Sequence, residues 1–529
     1  MTSIDAPETD ANGATERFNV EAVNSQKIRQ PLYAPRTKIF PKRATGTFRR
    51  FKWLVMAITL GIYYLTPFLR FDRGPYSPNQ AVLVDLANRR FYFFFIEIWP
   101  QEFYYVAGLL VMAGVGLFLV TSTIGRAWCG YTCPQTVWVD LFLAVEQAVE
   151  GDRNARIKLN AAPWSAGKLA KRVTKHGIWL IIGFLTGGAW ILYFADAPTL
   201  LHDFFTLRAA SIAYFTVGIL TATTYVFGGL MREQVCTYMC PWPRIQAAML
   251  DENSLTVTYN DWRGEPRSRH AKKAAAEGRK VGDCIDCNAC VAVCPMGIDI
   301  RDGQQLECIT CALCIDACDG VMDKIGRERG LISYATLNDY NANMALAGAS
   351  ETTAVDPTRI RDTATGKLVA GLRHTTWRSI IRPRTIVYFL VWGGIGVAMM
   401  VALSMRSTLE ISALHDRNPQ YVLLSDGSIR NGFKIKISNM RAEPRTVTLT
   451  LEGLPQGLMT RADTVEPPAT SLLFKLQPDA VMETRVFVRA DPAALEGTVT
   501  DFSFEVRAVS GEAAASTHAK FEKPKEQRP

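Results

Sequence analysis

The sequence predicts a multi-domain membrane protein with five transmembrane α-helices, a cysteine-ligated module on the cytoplasmic side and a C-terminal β-sandwich. Three observations carry this reading. Five stretches of the 529-residue chain run for 17 to 20 residues without Lys, Arg, Asp or Glu, and a helix needs roughly 20 residues to cross the hydrocarbon core. All twelve cysteines lie between Cys129 and Cys318. Beyond residue 411 the hydrophobic period changes from helical to alternating. The composition, 48% hydrophobic and 21% charged, belongs to an ordered protein and excludes collagen and disordered polyions. A net charge of +9 raises nucleic acid as a partner. The basic residues gather beside apolar runs, however, which is a membrane-topology pattern, so no nucleic acid is expected.

Residues 1–52 read as an N-terminal tail, polar and disordered to about residue 25 and then basic. Nine Lys/Arg lie between Lys27 and Lys52, and no early apolar core marks a signal peptide. The apolar runs are Trp53–Leu69, Phe103–Ser122, Gly177–Phe194 and Ser211–Leu230, forming a four-helix membrane region over 53–250, and then Thr385–Ser404. The loop from Gly125 to Lys175 holds eight Lys/Arg, against one in Ala195–Ala210. By the positive-inside bias the N-terminus and every cysteine-bearing segment are cytoplasmic. An odd number of spans then exports everything after Ser404. Phe91–Pro100 is aromatic but short, and suits the membrane interface. Thr136–Val149 is helical in period but carries Asp140 and Glu146, which are costly in a crossing; it reads as a cytoplasmic helix lying against the bilayer.

Over 410–525, Phe433–Ser438, Arg445–Leu451, Ser471–Leu476, Glu483–Arg489 and Thr500–Val509 alternate or are rich in β-branched residues, and Gly and Pro turns divide them. Short strands at this spacing indicate a β-sandwich.

The cysteines carry the chemistry. Cys284-x2-Cys287-x2-Cys290-x3-Cys294-Pro295 is followed by Cys308-x2-Cys311-x2-Cys314-x3-Cys318. This is the bacterial two-cluster ferredoxin run, in which the fourth cysteine of each arm ligates the other cluster. Cluster one is expected on Cys284, Cys287, Cys290 and Cys318, and cluster two on Cys308, Cys311, Cys314 and Cys294, both [4Fe-4S]. Zinc domains instead use paired C-x2-C ligands. The second run ends in Asp319 where proline is usual. The surrounding cytoplasmic region spans 251–384, with its ferredoxin core at 280–322.

The other four cysteines form two matched motifs, Cys129-x3-Cys133-Pro134 and Cys236-x3-Cys240-Pro241, each just past an apolar run. In a helix, thiols at i and i+4 share a face. The two pairs would converge on one four-thiolate site, hold Cu(I) separately, or form a dithiol/disulfide couple, and cysteines packing helix ends are the structural alternative. Met239 adds a thioether nearby. The six histidines (His176, His202, His270, His374, His415 and His518) place no pair at haem-ligand depth, so no haem is expected. Seven Lys/Arg between Asp261 and Lys280 suit anionic lipid headgroups.

The combination resembles the cytochrome c oxidase accessory family called CcoG, FixG or RdxA. The matching pieces are WCGYTCPQT at 128–136, QVCTYMCPWPRIQ at 234–246, CIDCNACVAVCPMGIDIRDG at 284–303, ECITCALCIDAC at 307–318 and PNQAVLVDLANRRF at 78–91. The resemblance implies a bacterial inner-membrane protein with two [4Fe-4S] clusters and a periplasmic immunoglobulin-like tail. It also implies a role in assembling the cbb3-type oxidase as a reductase of Cu(II) to Cu(I), with Cys129, Cys133, Cys236 and Cys240 as the candidate thiol or copper site. The expected partners are membrane lipid, copper ion, a copper transporter or chaperone, oxidase-assembly components and an unidentified electron donor. A quinol–ferredoxin electron conduit and an assembly scaffold with structural clusters are the rival readings.

Overall fold

The computed structural model describes residues 37–524 except 76, 349–355, 357–358, 361–367, 370, 377–378, 442, 465–466, 496 and 512. The disordered tail expected over the first 25 residues lies outside them. The chain forms two compact units: residues up to 69 with 82–93 and 97–397, and residues 70–81 with 94–96 and 398–529.

The first unit opens with α1 (Thr47–Leu65). Its orphan N-terminal amides are satisfied in trans, because Phe48 and Arg49 N–H donate to the Asp316 carboxylate at 3.2 and 2.7 Å. A side chain at Gly46 would strike Asp316. A short hairpin of β1 (Val82–Asp85) and β2 (Arg90–Phe93) follows, then β3 (Ile96–Ile98) and α2 (Tyr104–Ile124), which stops at Gly125 with φ 61°. Next come α3 (Pro134–Glu150), α4 (Arg153–Ala161), α5 (Ala166–Ile191), α6 (Ala197–Phe205) and α7 (Ser211–Thr224), the last prolonged by a π-helical segment over Tyr225–Met231. After α8 (Trp242–Met249), β4 (Thr256–Tyr259) pairs antiparallel with β5 (Ile332–Ala335), with Thr256 opposite Ala335. Between these strands lie α9 (Asp261–Gly264), α10 (Ala271–Ala276), α11 (Ala289–Val293) and α12 (Leu313–Lys324). Val257, Tyr259, Ile315, Met322, Leu331 and Ile332 form the core around the ferredoxin cysteines. The helices α13 (Leu337–Leu346) and α14 (Pro383–Ser404) complete the series.

One expectation is corrected and two are sharpened. Among the described residues four helices, not five, are long and apolar enough to cross a membrane: Thr47–Phe68, Pro100–Ile124, Ser211–Met231 and Pro383–Ser404. The run Gly177–Phe194 falls in α5, whose first half carries Lys168, Lys171, Arg172 and Lys175 and which stops at Ile191. Glycines dilute the rest, because they form a packing seam: a Cβ at Gly183 or Gly187 would lie 3.0 Å from the Thr221 carbonyl oxygen or 2.9 Å from that of Val217, both on α7. The odd-number argument for opposite chain ends fails with the fifth span. The charged positions of 136–149 are not turned to water; in α3, Asp140, Phe142, Leu143, Glu146 and Glu150 are buried. Its charges are paired inside the protein, Asp140 with Arg49 at 2.7 Å, and Glu146 with Arg232, Arg156 and Lys175 at 2.8, 3.1 and 3.4 Å. Finally, the aromatic stretch 91–100 is largely β2 and β3. Trp99 is buried, with the Arg90 guanidinium 3.9 Å from its ring centroid.

The second unit is the sandwich. One sheet runs β10 (Leu458–Arg461), β12 (Ala480–Ala490), β8 (Ile429–Asn439), β6 (Leu409–His415), with β7 (Val422–Leu423) on β8. The other runs β11 (Ser471–Leu476), β9 (Arg445–Glu452), β13 (Val499–Ala508), β14 (Ala514–Glu522). Alternation puts Leu472, Phe474 and Leu476 inward from β11, as period-two side chains require. Phe433, Phe502 and Phe504 meet edge to face between the sheets, with ring centroids 5.0 to 5.6 Å apart. The loop 70–81 belongs to this unit, where the Ser77 hydroxyl donates to Asp479 at 2.8 Å.

Candidate metal centre

Each ferredoxin run forms a loop closed by a short helix, and the two loops share one backbone device. The residues on either side of the middle cysteine are left-handed in both: Asp286 and Asn288 at φ 53° and 59°, Thr310 and Ala312 at 56° and 60°. None is glycine, and Thr310 is β-branched, so these positions are strained. They let the chain reverse twice within seven residues and turn its thiols to one side. Arg301 pins the first loop through Asp286 at 2.8 Å, Asn288 at 2.7 Å and Asp299 at 2.6 Å. The second is held by tyrosine hydroxyls, Tyr334 donating to the Thr310 carbonyl at 3.0 Å and Tyr131 to that of Cys311 at 3.2 Å.

Cys318 returns on α12 to the neighbourhood of Cys284, Cys287 and Cys290. Cys294 returns to that of Cys308 and Cys311. An apolar cavity is lined by Cys290, Cys294, Cys308, Cys311 and Cys314 with Met296 and Ile309. Burial pushes the Cys294 and Cys308 thiols up to about 12 and about 11, so thiolates here need a cation beside them. Among the described residues no three His, Cys, Asp or Glu side chains converge closely enough for a single metal ion. A cubane holds its thiolates around a wider core, and soft thiolates in an apolar shell are the donor set it requires. The residues fit the group.

The C-x3-C-P motifs are two copies of one turn. Trp128–Thr132 and Val235–Met239 are each π-helical, with Cys133 N–H donating to Trp128 at 2.9 Å and Cys240 N–H to Val235 at 2.8 Å. The following proline disfavours a helical conformation at the second cysteine, so Cys133 and Cys240 turn extended, with ψ 127° and 124°. The thiols are therefore not the i, i+4 pair of a regular helix. The four cysteines nevertheless share one neighbourhood: Cys129 and Cys236 pack on the same apolar patch within electrostatic reach of Cys133 and Cys240, although no three of them converge on one point. Burial pushes Cys129 up to about 11 and Cys236 up to about 12, against the pull of Arg126. The Cys129 thiol donates to Gln246 Oε1 at 3.0 Å.

Sequence reasoning missed Arg126, Tyr131, Gln246 and Arg301, although all but Arg126 stood inside the recognised segments. Part of the basic stretch 261–280 is engaged within the protein. Arg263 is buried on Asp283 at 2.6 Å, and Arg269, Arg279 and Lys280 pair with Asp286, Glu277 and Asp356. His176 hydrogen-bonds Tyr225 at 2.9 Å. Met239 is 53% exposed.

A family described as a 4Fe-4S dicluster domain matches residues 231–337, and one described as an IG-like fold at the C-terminal of FixG, putative oxidoreductase, matches 399–524. The chain is 68% identical over 472 residues to the nitrogen fixation protein FixG of Rhizobium meliloti, covering 89% of this chain and 90% of that one. It is 54% identical over 424 residues to protein RdxA of Cereibacter sphaeroides (80% and 84% covered) and 56% identical over 439 residues to RdxB of the same organism (81% and 87% covered). With its apolar helices, two [4Fe-4S] clusters and immunoglobulin-like domain, the chain belongs to the FixG/RdxA family of membrane-associated iron–sulfur electron-transfer proteins.

Proposed function

We propose that this protein reduces Cu(II) to Cu(I) for assembly of a cbb3-type cytochrome oxidase. The supporting observation is the shared neighbourhood of Cys129, Cys133, Cys236 and Cys240 beside the loop that carries Cys308 and Cys311. Cys284, Cys287, Cys290 and Cys318 hold one cluster, and Cys294, Cys308, Cys311 and Cys314 the other; when bound, these groups supply one-electron transfer. The C-x3-C-P thiols take copper as substrate. Thiolate is a soft ligand that favours Cu(I), so the same residues that receive Cu(II) make its reduction easier and retain the product. Arg126, buried beside Cys129, offsets part of their negative charge. Cu(I) then passes to a copper transporter or chaperone, and an unidentified donor replenishes the electrons. By the Lys/Arg bias the basic segment before the first span is cytoplasmic in a bacterial inner membrane.

Replacing Cys129, Cys133, Cys236 or Cys240 by Ser is expected to lower cupric reduction by anaerobically purified protein while leaving iron content and visible cluster absorbance unchanged. Unaltered copper reduction in all four variants would refute the assignment.

A further inference from the structure

The two C-x3-C-P motifs match in sequence and in backbone turn, yet they meet different surroundings. Gly130 and Tyr131 of the first motif press against the second ferredoxin loop. A Cβ on Gly130 would lie 2.7 Å from the Ile309 carbonyl oxygen, 3.0 Å from Cys311 Cα and 3.1 Å from Cys311 N. Only glycine permits that approach. The buried Tyr131 hydroxyl donates to the Cys311 carbonyl at 3.2 Å. Arg126 donates to the Leu306 carbonyl, two residues before Cys308, and its charge bears on Cys129, Cys236 and Cys308 alike.

In the second motif the matching positions are Thr237 and Tyr238, and Tyr238 is 75% exposed. Cys129 and Cys236 both pack on the apolar patch of Val293, Met296, Ile309 and Cys311. Among the described residues, the core around Cys284, Cys290 and Cys318 includes none of the C-x3-C-P cysteines.

We propose that Gly130 and Tyr131 are positioning residues that seat the thiol site on Cys311, which makes the cluster of Cys294, Cys308, Cys311 and Cys314 the immediate electron donor to copper. The cluster of Cys284, Cys287, Cys290 and Cys318 is then upstream, and the exposed second motif is the side on which copper exchanges. This rests on the reductase reading. Each turnover moves one electron from the reduced Cys311-side cluster to one Cu(II), giving Cu(I), with no bond to carbon, oxygen or hydrogen made or broken. The upstream reductant is a low-potential one-electron donor, for which dithionite serves in the test.

The full-length protein and its Gly130→Val and Tyr131→Phe variants are purified anaerobically, and their iron is counted. An EPR-monitored dithionite titration of Tyr131→Phe is expected to shift the midpoint of one cluster signal and leave the other in place, because only the Cys311 carbonyl loses a donor. Rapid mixing of the pre-reduced protein with Cu(II), followed by cluster absorbance, is expected to show re-oxidation slowed about tenfold in Gly130→Val, as misplacement of reacting partners implies. If Gly130→Val fails to retain iron, Tyr131→Phe decides. Both midpoints moving, neither moving, or wild-type re-oxidation in iron-replete Gly130→Val overturns this inference and leaves the reductase reading standing. Clusters of the unsubstituted protein that Cu(II) does not re-oxidise overturn the reductase reading itself, and this inference with it.

Discussion

The Glu146→Gln variant probes the ion-pair network that binds α3 to α5 and to Arg232. The Glu146 side chain is 0% exposed and faces three cations, Arg232 at 2.8 Å, Arg156 at 3.1 Å and Lys175 at 3.4 Å. Burial alone would raise its carboxyl, but Arg232, Arg156 and Lys175 outweigh burial and hold it at about 2, against an ordinary 4.5. That difference corresponds to about 3 kcal/mol at neutral pH, close to the roughly 3–5 kcal/mol cost of stripping one partner from a buried ionic group. At about 2.1 cal/mol/K of unfolding entropy per residue, a unit of this size is expected to melt about 4 °C lower. Trp179 is a built-in reporter, since it stacks on Phe142 with ring centroids 5.3 Å apart and lies 4.8 Å from the Lys175 ammonium. Thermal unfolding in detergent, followed by tryptophan fluorescence, measures the effect. The folded-state carboxyl is depressed, so its contribution is complete above 4.5 and is lost as pH falls from 4.5 towards 2. The gap between wild type and variant is therefore expected to close over that window. A variant melting within about 2 °C of wild type at pH 7, or a gap that persists unchanged in acid, defeats the reasoning.

Two further substitutions test separate parts of the fold. Asp316→Ala removes both acceptors from the start of α1 and is expected to cost about 1–2 kcal/mol, as lost helix caps do; hydrogen exchange at the Phe48 and Arg49 amides is the readout, and unchanged protection there contradicts the trans cap. Phe504→Ala opens a cavity between the sandwich sheets beside Phe433 and Phe502. It is expected to cost about 3–5 kcal/mol, lowering the melting of the C-terminal domain while iron content stays at the wild-type value.

Sequence patterns were informative where one physical constraint dominated. Ser471–Leu476 was delimited to the residue, because a half-buried strand must alternate. The polar β14, AASTHAKFE, has only Phe521 fully inward and gave no signal. The ferredoxin cysteines were legible because cluster geometry imposes their spacing. Asp140 and Glu146 misled for a definite reason: charges in an apolar helix suggest water, whereas here they meet cations contributed by other helices and loops, Arg49, Arg156, Lys175 and Arg232, ten to ninety-one residues away in sequence. The run at 177–194 misled similarly, since apolar residues between glycines serve helix–helix packing as readily as lipid contact. The π-helical form of the C-x3-C-P turns was also hidden, although the prolines that end them were in view.

The four left-handed residues flanking Cys287 and Cys311 have a consequence for the protein's life in the cell. Each costs roughly 1–2 kcal/mol in a residue other than glycine, and the inorganic cores offset that cost by fixing the thiols around them. Without iron the Thr310–Ala312 bend is free to relax, and the backbone on which Gly130 rests goes with it. On the copper-reductase reading proposed above, iron scarcity would thus blunt the handling of a second, unrelated metal with no dedicated sensor, through the shape of a seven-residue loop.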